Sequence, residues 1–301
     1  MPGVVGTLLP IFLMIGAGWL ARRSRFPGEA FWPALDRVVY FALFPALLIR
    51  TFANAKLGGL EIVAMAATIW LTMAAMVVGL LLARPLLNVA GPTFASLLQT
   101  AVRFNAYTGL AVSQAAYGET GLALFSLAIA LVTPLANVIS VTAFLRLAEA
   151  TDGRRPRVWR ELARNPLILG IAVGLLLNAS GAGLPWPLST IFDLAAPAAL
   201  PLALLSAGAG LDLGAVRGSG VWVVVGVALR LVGMPLLVLA MAWWFGLEGQ
   251  ARQILLLYAC LPTSPAGYTL ARQLGGDAPA TAGMIALSTL LAMLTMPFWL
   301  G

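Results

Sequence analysis

Apolar residues in this chain do not alternate with polar ones but run in blocks of about twenty, separated by short polar breaks. The hydrocarbon core of a bilayer is about 30 Å thick and a helix rises about 1.5 Å per residue, so each block has the length a spanning helix needs. The blocks predict helices over residues 4–21, 35–53, 61–83, 93–117 and 120–147. A second set is predicted over residues 166–183, 187–211, 220–245, 253–271 and 278–300. The expected fold class is an all-α integral membrane protein of ten transmembrane helices.

The longest charged stretch lies between the two sets, and it divides the chain into a first repeat (1–148), a linker (149–165) and a second repeat (166–301). Five spans in each half put the halves in opposite orientations, so an inverted repeat is expected. Phe44-Pro45-Ala46-Leu47-Leu48 in the second span has a counterpart in Leu200-Pro201-Leu202-Ala203-Leu204-Leu205 of the seventh. Pro134 of the fifth span pairs in the same way with Pro297 of the tenth.

Composition agrees with a lipid solvent. With 61% apolar and 10% charged residues, the chain lacks the roughly 25% charged residues of a soluble domain. A net charge of +7 raises the question of nucleic acid, but the basic residues sit in short loops beside apolar blocks and form no basic face; no nucleic-acid partner is expected. Arg22, Arg23 and Arg25 follow the first block, the reverse of a signal peptide. Alternate loops hold thirteen Lys and Arg against three, which directs both termini to the outer side of the membrane. Arg103 and Arg230 are left inside spans. Histidine is absent and Cys260 is the only cysteine, so neither a metal set nor a disulfide is expected.

In a carrier built from inverted repeats, the site lies where helices are interrupted at mid-membrane and free their backbone groups. The ninth span has such a place in Leu261-Pro262-Thr263-Ser264-Pro265-Ala266-Gly267-Tyr268, because each proline deletes an amide donor. The fourth span has Arg103-Phe104-Asn105-Ala106-Tyr107-Thr108-Gly109. An arginine at that depth costs at least about 2.5 kcal/mol and so faces a cavity or a partner. Arg103 is a candidate attractor for a carboxylate, or else a structural group bonded to freed carbonyls or to a carboxylate. Asn105, Tyr107, Thr108, Thr263, Ser264 and Tyr268 are candidate ligand contacts, and Gly109, Pro262, Pro265 and Gly267 candidate break residues. Asn137 either lines the site or joins two helices. Arg230 is expected to pair or to snorkel, and Asp193 to pair with an arginine. Gly170-x-x-x-Gly174 and the run from Ser206 to Gly210 read as packing seams.

Four motifs, in this order, resemble the auxin efflux carrier family, whose bacterial members are often described as malate or malonate permeases. They are Leu35-Asp36-Arg37-Val38-Val39-Tyr40 leading to Phe44-Pro45-Ala46-Leu47-Leu48, Arg103-Phe104-Asn105, Asn165-Pro166-Leu167-Ile168-Leu169-Gly170, and Pro262-Thr263-Ser264-Pro265 running to Ala271-Arg272-Gln273. The resemblance implies a scaffold of helices 1, 2, 6 and 7, with a transport domain of helices 3–5 and 8–10 that moves an organic anion as an elevator. It also implies a bacterial inner membrane and a homodimer. The family's proline shortly after Gly109 is absent, with Leu110 and Ala111 there instead, which leaves the first break resting on Gly109. The family's asparagine in the ninth-span crossing is also replaced, at about Gly267, so auxin recognition of the plant type is not implied.

The expected function is therefore secondary transport of a small organic anion, uncoupled or coupled to H+ or Na+, with no cofactor. A cation exchanger would be expected to bury carboxylates at the crossing, and neither the fourth nor the ninth span holds one there. An intramembrane enzyme would need a nucleophile with its base, or a metal set. A membrane sensor that binds without transporting is the other alternative.

Overall fold

The computed structural model describes residues 3–55, 62–148, 164–217 and 220–301. Among these residues there is helix and no strand. The helices of eight or more residues are α1 (Val4–Arg23), α2 (Phe31–Ala53), α3 (Ile62–Ala83), α4 (Gly91–Val102), α5 (Ala106–Leu147) and α6 (Pro166–Ala179), then α7 (Leu188–Ala209), α8 (Val221–Trp244), α9 (Gly249–Cys260), α10 (Ala266–Gln273) and α11 (Ala278–Leu300). Among the described residues, seven helical stretches are long and apolar enough to cross a membrane, and the protein is a multi-pass membrane protein. The difference from ten has local causes. Gly91–Leu147 counts as one stretch although it contains the fourth and fifth expected spans, α6 has only 14 residues, and the ninth expected span is divided into α9 and α10. The linker expected at 149–165 lies outside the described residues except for Arg164 and Asn165.

Polarity runs opposite to that of a soluble protein. Val63, Leu82, Leu194, Trp243 and Phe298 stand exposed on helix faces, whereas Ser96, Ser113, Ser126 and Ser288 are buried and hydrogen-bonded. An exposed apolar face costs nothing against lipid, but a hydroxyl there would lack a partner, so the small polar residues turn inward.

Two of the helices accommodate a proline by widening. α2 makes a π-helical turn over Val39–Leu43 just before Pro45, and α8 makes one over Leu229–Gly233 just before Pro235. A proline ring collides with the carbonyl four residues earlier, and the wider turn relieves the collision. α5 is interrupted at Gly118, whose φ of 65° and ψ of −156° suit glycine alone, in the turn expected between the fourth and fifth spans.

The chain forms two compact units. The first comprises Met1–Leu60, Tyr107–Ala130 and Trp159–Gly210; the second comprises Glu61–Ala106, Leu131–Val158 and Leu211–Gly301. Helices α1, α2, α6 and α7 belong to the first, while α3, α4, α8, α9, α10 and α11 belong to the second. The first unit also takes the initial part of α5, which the resemblance assigns to the transport domain.

Within the first unit, α1 and α7 touch backbone to backbone. A Cβ on Gly18 would lie 2.0 Å from the Leu205 carbonyl oxygen, and one on Gly208 would lie 1.8 Å from that of Ile15. Gly174 of α6 is also close-packed on α2, where a Cβ would lie 2.6 Å from Phe52 Cβ and 3.0 Å from the Ile49 carbonyl oxygen, so both small-residue runs are packing seams. Helix ends here are closed by side chains from neighbouring helices. Arg22 donates to the Ala209 carbonyl at the end of α7, and Asn178 donates to the carbonyls of Phe52, Ala53 and Ala55 after α2.

Candidate functional site: two helix breaks that meet in the second unit

The fourth expected span breaks after Val102. Arg103 is extended at φ −83° and ψ 149°, and α5 does not begin until Ala106. The ninth breaks between Cys260 and Ala266, with Leu261 extended at φ −66° and ψ 149°. The two interruptions bond directly to each other. The Asn105 N–H donates to the Pro262 carbonyl at 2.9 Å, and the Thr263 hydroxyl donates to the Arg103 carbonyl at 3.3 Å. The Thr263 N–H, released from its helix, donates to Ser288 Oγ of α11 at 3.2 Å.

Every helix break leaves carbonyls without donors, and here one side chain takes three of them. In an unbroken helix, the Ala101 carbonyl would accept from the Asn105 N–H, that of Tyr258 from residue 262, and that of Leu261 from residue 265. Asn105 instead donates across the crossing, and residues 262 and 265 are prolines with nothing to donate. Arg230 of α8, fully buried, donates Nη1 to Ala101 O at 3.2 Å, Nε to Leu261 O at 2.9 Å and Nη2 to Tyr258 O. Its guanidinium also lies 5.2 Å from the centre of the Tyr258 ring. The C-terminus of a helix carries about half a negative charge, so the ends of α4 and α9 together balance roughly one cation. Each bond from a charged donor contributes about 1.5–3 kcal/mol. The sequence led us to expect Arg230 to pair or to snorkel; among the described residues it neither pairs with a carboxylate nor reaches toward solvent, and bonds instead to the carbonyls left by the two breaks.

Arg103 is half-buried and has a different set of partners. Its Nη2 donates to Asn137 Oδ1 and its Nε to Ser140 Oγ at 3.3 Å, so α5 holds the guanidinium from the side. Asn105 and Thr263 are buried, and Ser264 is half-buried. The structure thus brings together Arg103, Asn105, Asn137, Thr263 and Ser264.

Tyr107 and Thr108 belong to the first unit, where the Tyr107 hydroxyl donates to Asp36 Oδ1 at 3.4 Å and its ring packs on Phe44. Tyr268 lies on an exposed face of α10. Gly109, expected at the first break, lies inside the helical run of α5. The interruption falls upstream of it, because tertiary partners there replace the intrahelical ones without any local breaker. Gly267 is likewise in the first turn of α10, whereas Pro262 lies in the break and Pro265 caps that helix. What Gly267 provides is room: a Cβ there would lie 3.2 Å from Gln99 Nε2, which donates to the Gly267 carbonyl at 3.0 Å.

Gln99, Ser140 and Ser288 are members of this cluster that sequence reasoning missed. Each is a polar residue within a largely apolar span, and a polar group with nowhere to go in lipid is the only signal they give. Asp193 pairs with Arg50, Nε to Oδ1 at 2.6 Å, as expected. That pair, with Glu119 at 3.6 Å from Arg50, belongs to the first unit, where Arg50 also lines an apolar cavity of about 410 Å³.

A family model described as a membrane transport protein matches residues 3–300. The chain belongs to that family. It is the auxin efflux carrier family whose motifs the sequence carries. An "Uncharacterized transporter" of Methanothermobacter thermautotrophicus is 23% identical over 302 residues, covering 99% of this chain and 97% of that protein. A protein of Rhizobium meliloti described as a "Putative malonate transporter" is 26% identical over 310 residues, covering 98% of this chain and 94% of its own. The family and both relatives are described as transporters.

Proposed function

We propose that this protein is a secondary carrier of a small organic anion, bound at the crossing of the two breaks. The observation that carries this reading is the pair of interruptions bonded to each other beside a half-buried guanidinium. Arg103 supplies the charge for a carboxylate. Asn105, Thr263 and Ser264 supply directional hydrogen bonds, and α5 and α10 begin at the breaks, with N-terminal ends that favour an anion. Breaks at equivalent places in two five-span halves support a ten-helix inverted repeat. The grouping of α1, α2, α6 and α7 apart from the other helices supports a scaffold and a moving body, as an elevator requires. In this reading the protein lies in a bacterial inner membrane with both termini outside, as a homodimer, with H+ or Na+ as the candidate coupling ion.

Malonate, named for one relative, is the first substrate to test. Purified protein in liposomes is expected to accumulate radiolabelled malonate, and Arg103→Ala to reduce uptake at least a hundredfold while expression and monodispersity are kept. Full uptake by Arg103→Ala would remove that residue from the site. Binding of carboxylates without flux would make the protein a sensor.

A further inference from the structure

We infer that Arg230 is the positioning residue of the site: it touches no ligand, and it sets the spacing of the two breaks by holding the three carbonyls that those breaks strip of donors. The inference rests on the carrier reading for its consequence on transport, but not for the geometry itself. Its acceptors are Ala101 O from α4, and Tyr258 O and Leu261 O from the ninth span. They come from the two sides of the crossing, so the guanidinium is a three-point link between segments far apart in sequence.

Three properties make arginine specific to this place. The planar fork donates in several fixed directions at once, which a lysine ammonium on a flexible stem does not. Among the described residues no carboxylate lies within ion-pair distance of Arg230. The charge is therefore matched by the two helix ends and the Tyr258 ring, so it is retained only while both ends converge on it. Arg230 is also fully buried whereas Arg103 is half-buried, which separates a framework cation from one a solute can reach. Were Arg230 lost, the Asn105 N–H would be free to return to the Ala101 carbonyl and re-form the helix, withdrawing Asn105 from Pro262.

The test compares Arg230→Lys and Arg230→Met with wild-type full-length protein. Hydrogen exchange followed by mass spectrometry reads peptides covering residues 99–109 and 256–268, with residues 278–300 as a reference in the same unit. Arg230→Lys, which keeps the charge and loses the fork, is expected to speed exchange at both breaks at least tenfold and leave the reference peptide within twofold of wild type. Malonate uptake by the same variant is expected to show a KM raised about tenfold with kcat changed less than threefold, since affinity depends on how the polar groups converge. Arg230→Met is expected to exceed the lysine variant at both breaks. Should it fail to fold, the lysine variant decides. Unchanged exchange at the breaks, or acceleration spread equally over the reference peptide, overturns the inference. If wild-type liposomes move no malonate or other carboxylate, the carrier reading falls, and the exchange pattern still decides the role of Arg230.

Discussion

In the carrier proposed above, Asn137 governs how freely the Arg103 guanidinium meets a ligand, because it holds one arm of the fork through a neutral carbonyl. Asn137→Ala is expected to raise the KM for malonate about tenfold by releasing that arm, in protein that stays monodisperse. Asn137→Asp should be worse, since a carboxylate at the same distance forms an ion pair and cancels the attraction for an anion. Transport by the aspartate variant equal to that of wild type would show that the charge of Arg103 is not what the substrate meets. At this scale the ninth-span break was legible, because two prolines carry their effect wherever they sit. The first break was legible only as a concentration of polarity. Its position was misread toward Gly109, since nothing local announces that the Asn105 N–H finds the Pro262 carbonyl in the other half of the chain.

Helices in lipid end, or break, only where something takes their carbonyls, and in this protein another helix supplies the donor. Arg22 closes α7, Asn178 closes α2, and Trp299 Nε1 donates to the Leu231 carbonyl at 2.9 Å, the group that Pro235 deprives. Trp299→Phe keeps an aromatic ring, though a smaller one, and removes the donor, so it should cost about 1–3 kcal/mol and lower the melting midpoint in detergent by several degrees. Pro235→Ala restores an N–H within α8 and should recover most of that loss in the double variant. Additive losses would disprove the link between the two residues. Element boundaries were largely legible, because block length in an apolar chain is set by membrane thickness. α11 occupies the residues expected for the tenth span, 278–300, whereas α6 stops at Ala179, short of the expected 183, just before Gly181 at φ 68°. The π-turns were not legible, because a proline alone does not say whether a helix will bend, break or widen around it.

The two units gather segments that are remote in sequence, and Tyr107–Ala130 joins α1, α2, α6 and α7 across long stretches of chain. Hydropathy cannot show this, because all the spans satisfy the same condition of length and apolarity. Small residues carry more of that information: the glycines of the α1–α7 crossing mark where two helices come together without intervening side chains. Gly208→Ala would place a methyl 1.8 Å from the Ile15 carbonyl oxygen, and is expected to cost at least about 1–3 kcal/mol, read as a lower melting midpoint and reduced yield of folded protein. Gly16→Ala, where nothing lies within 4 Å, is the control expected to be silent. Two main chains in direct contact have no compliant layer between them, and neither can slide along the other without colliding. A load borne by α1 therefore passes to α7 undiminished, and whatever deformation the working protein undergoes has to be accommodated away from that crossing.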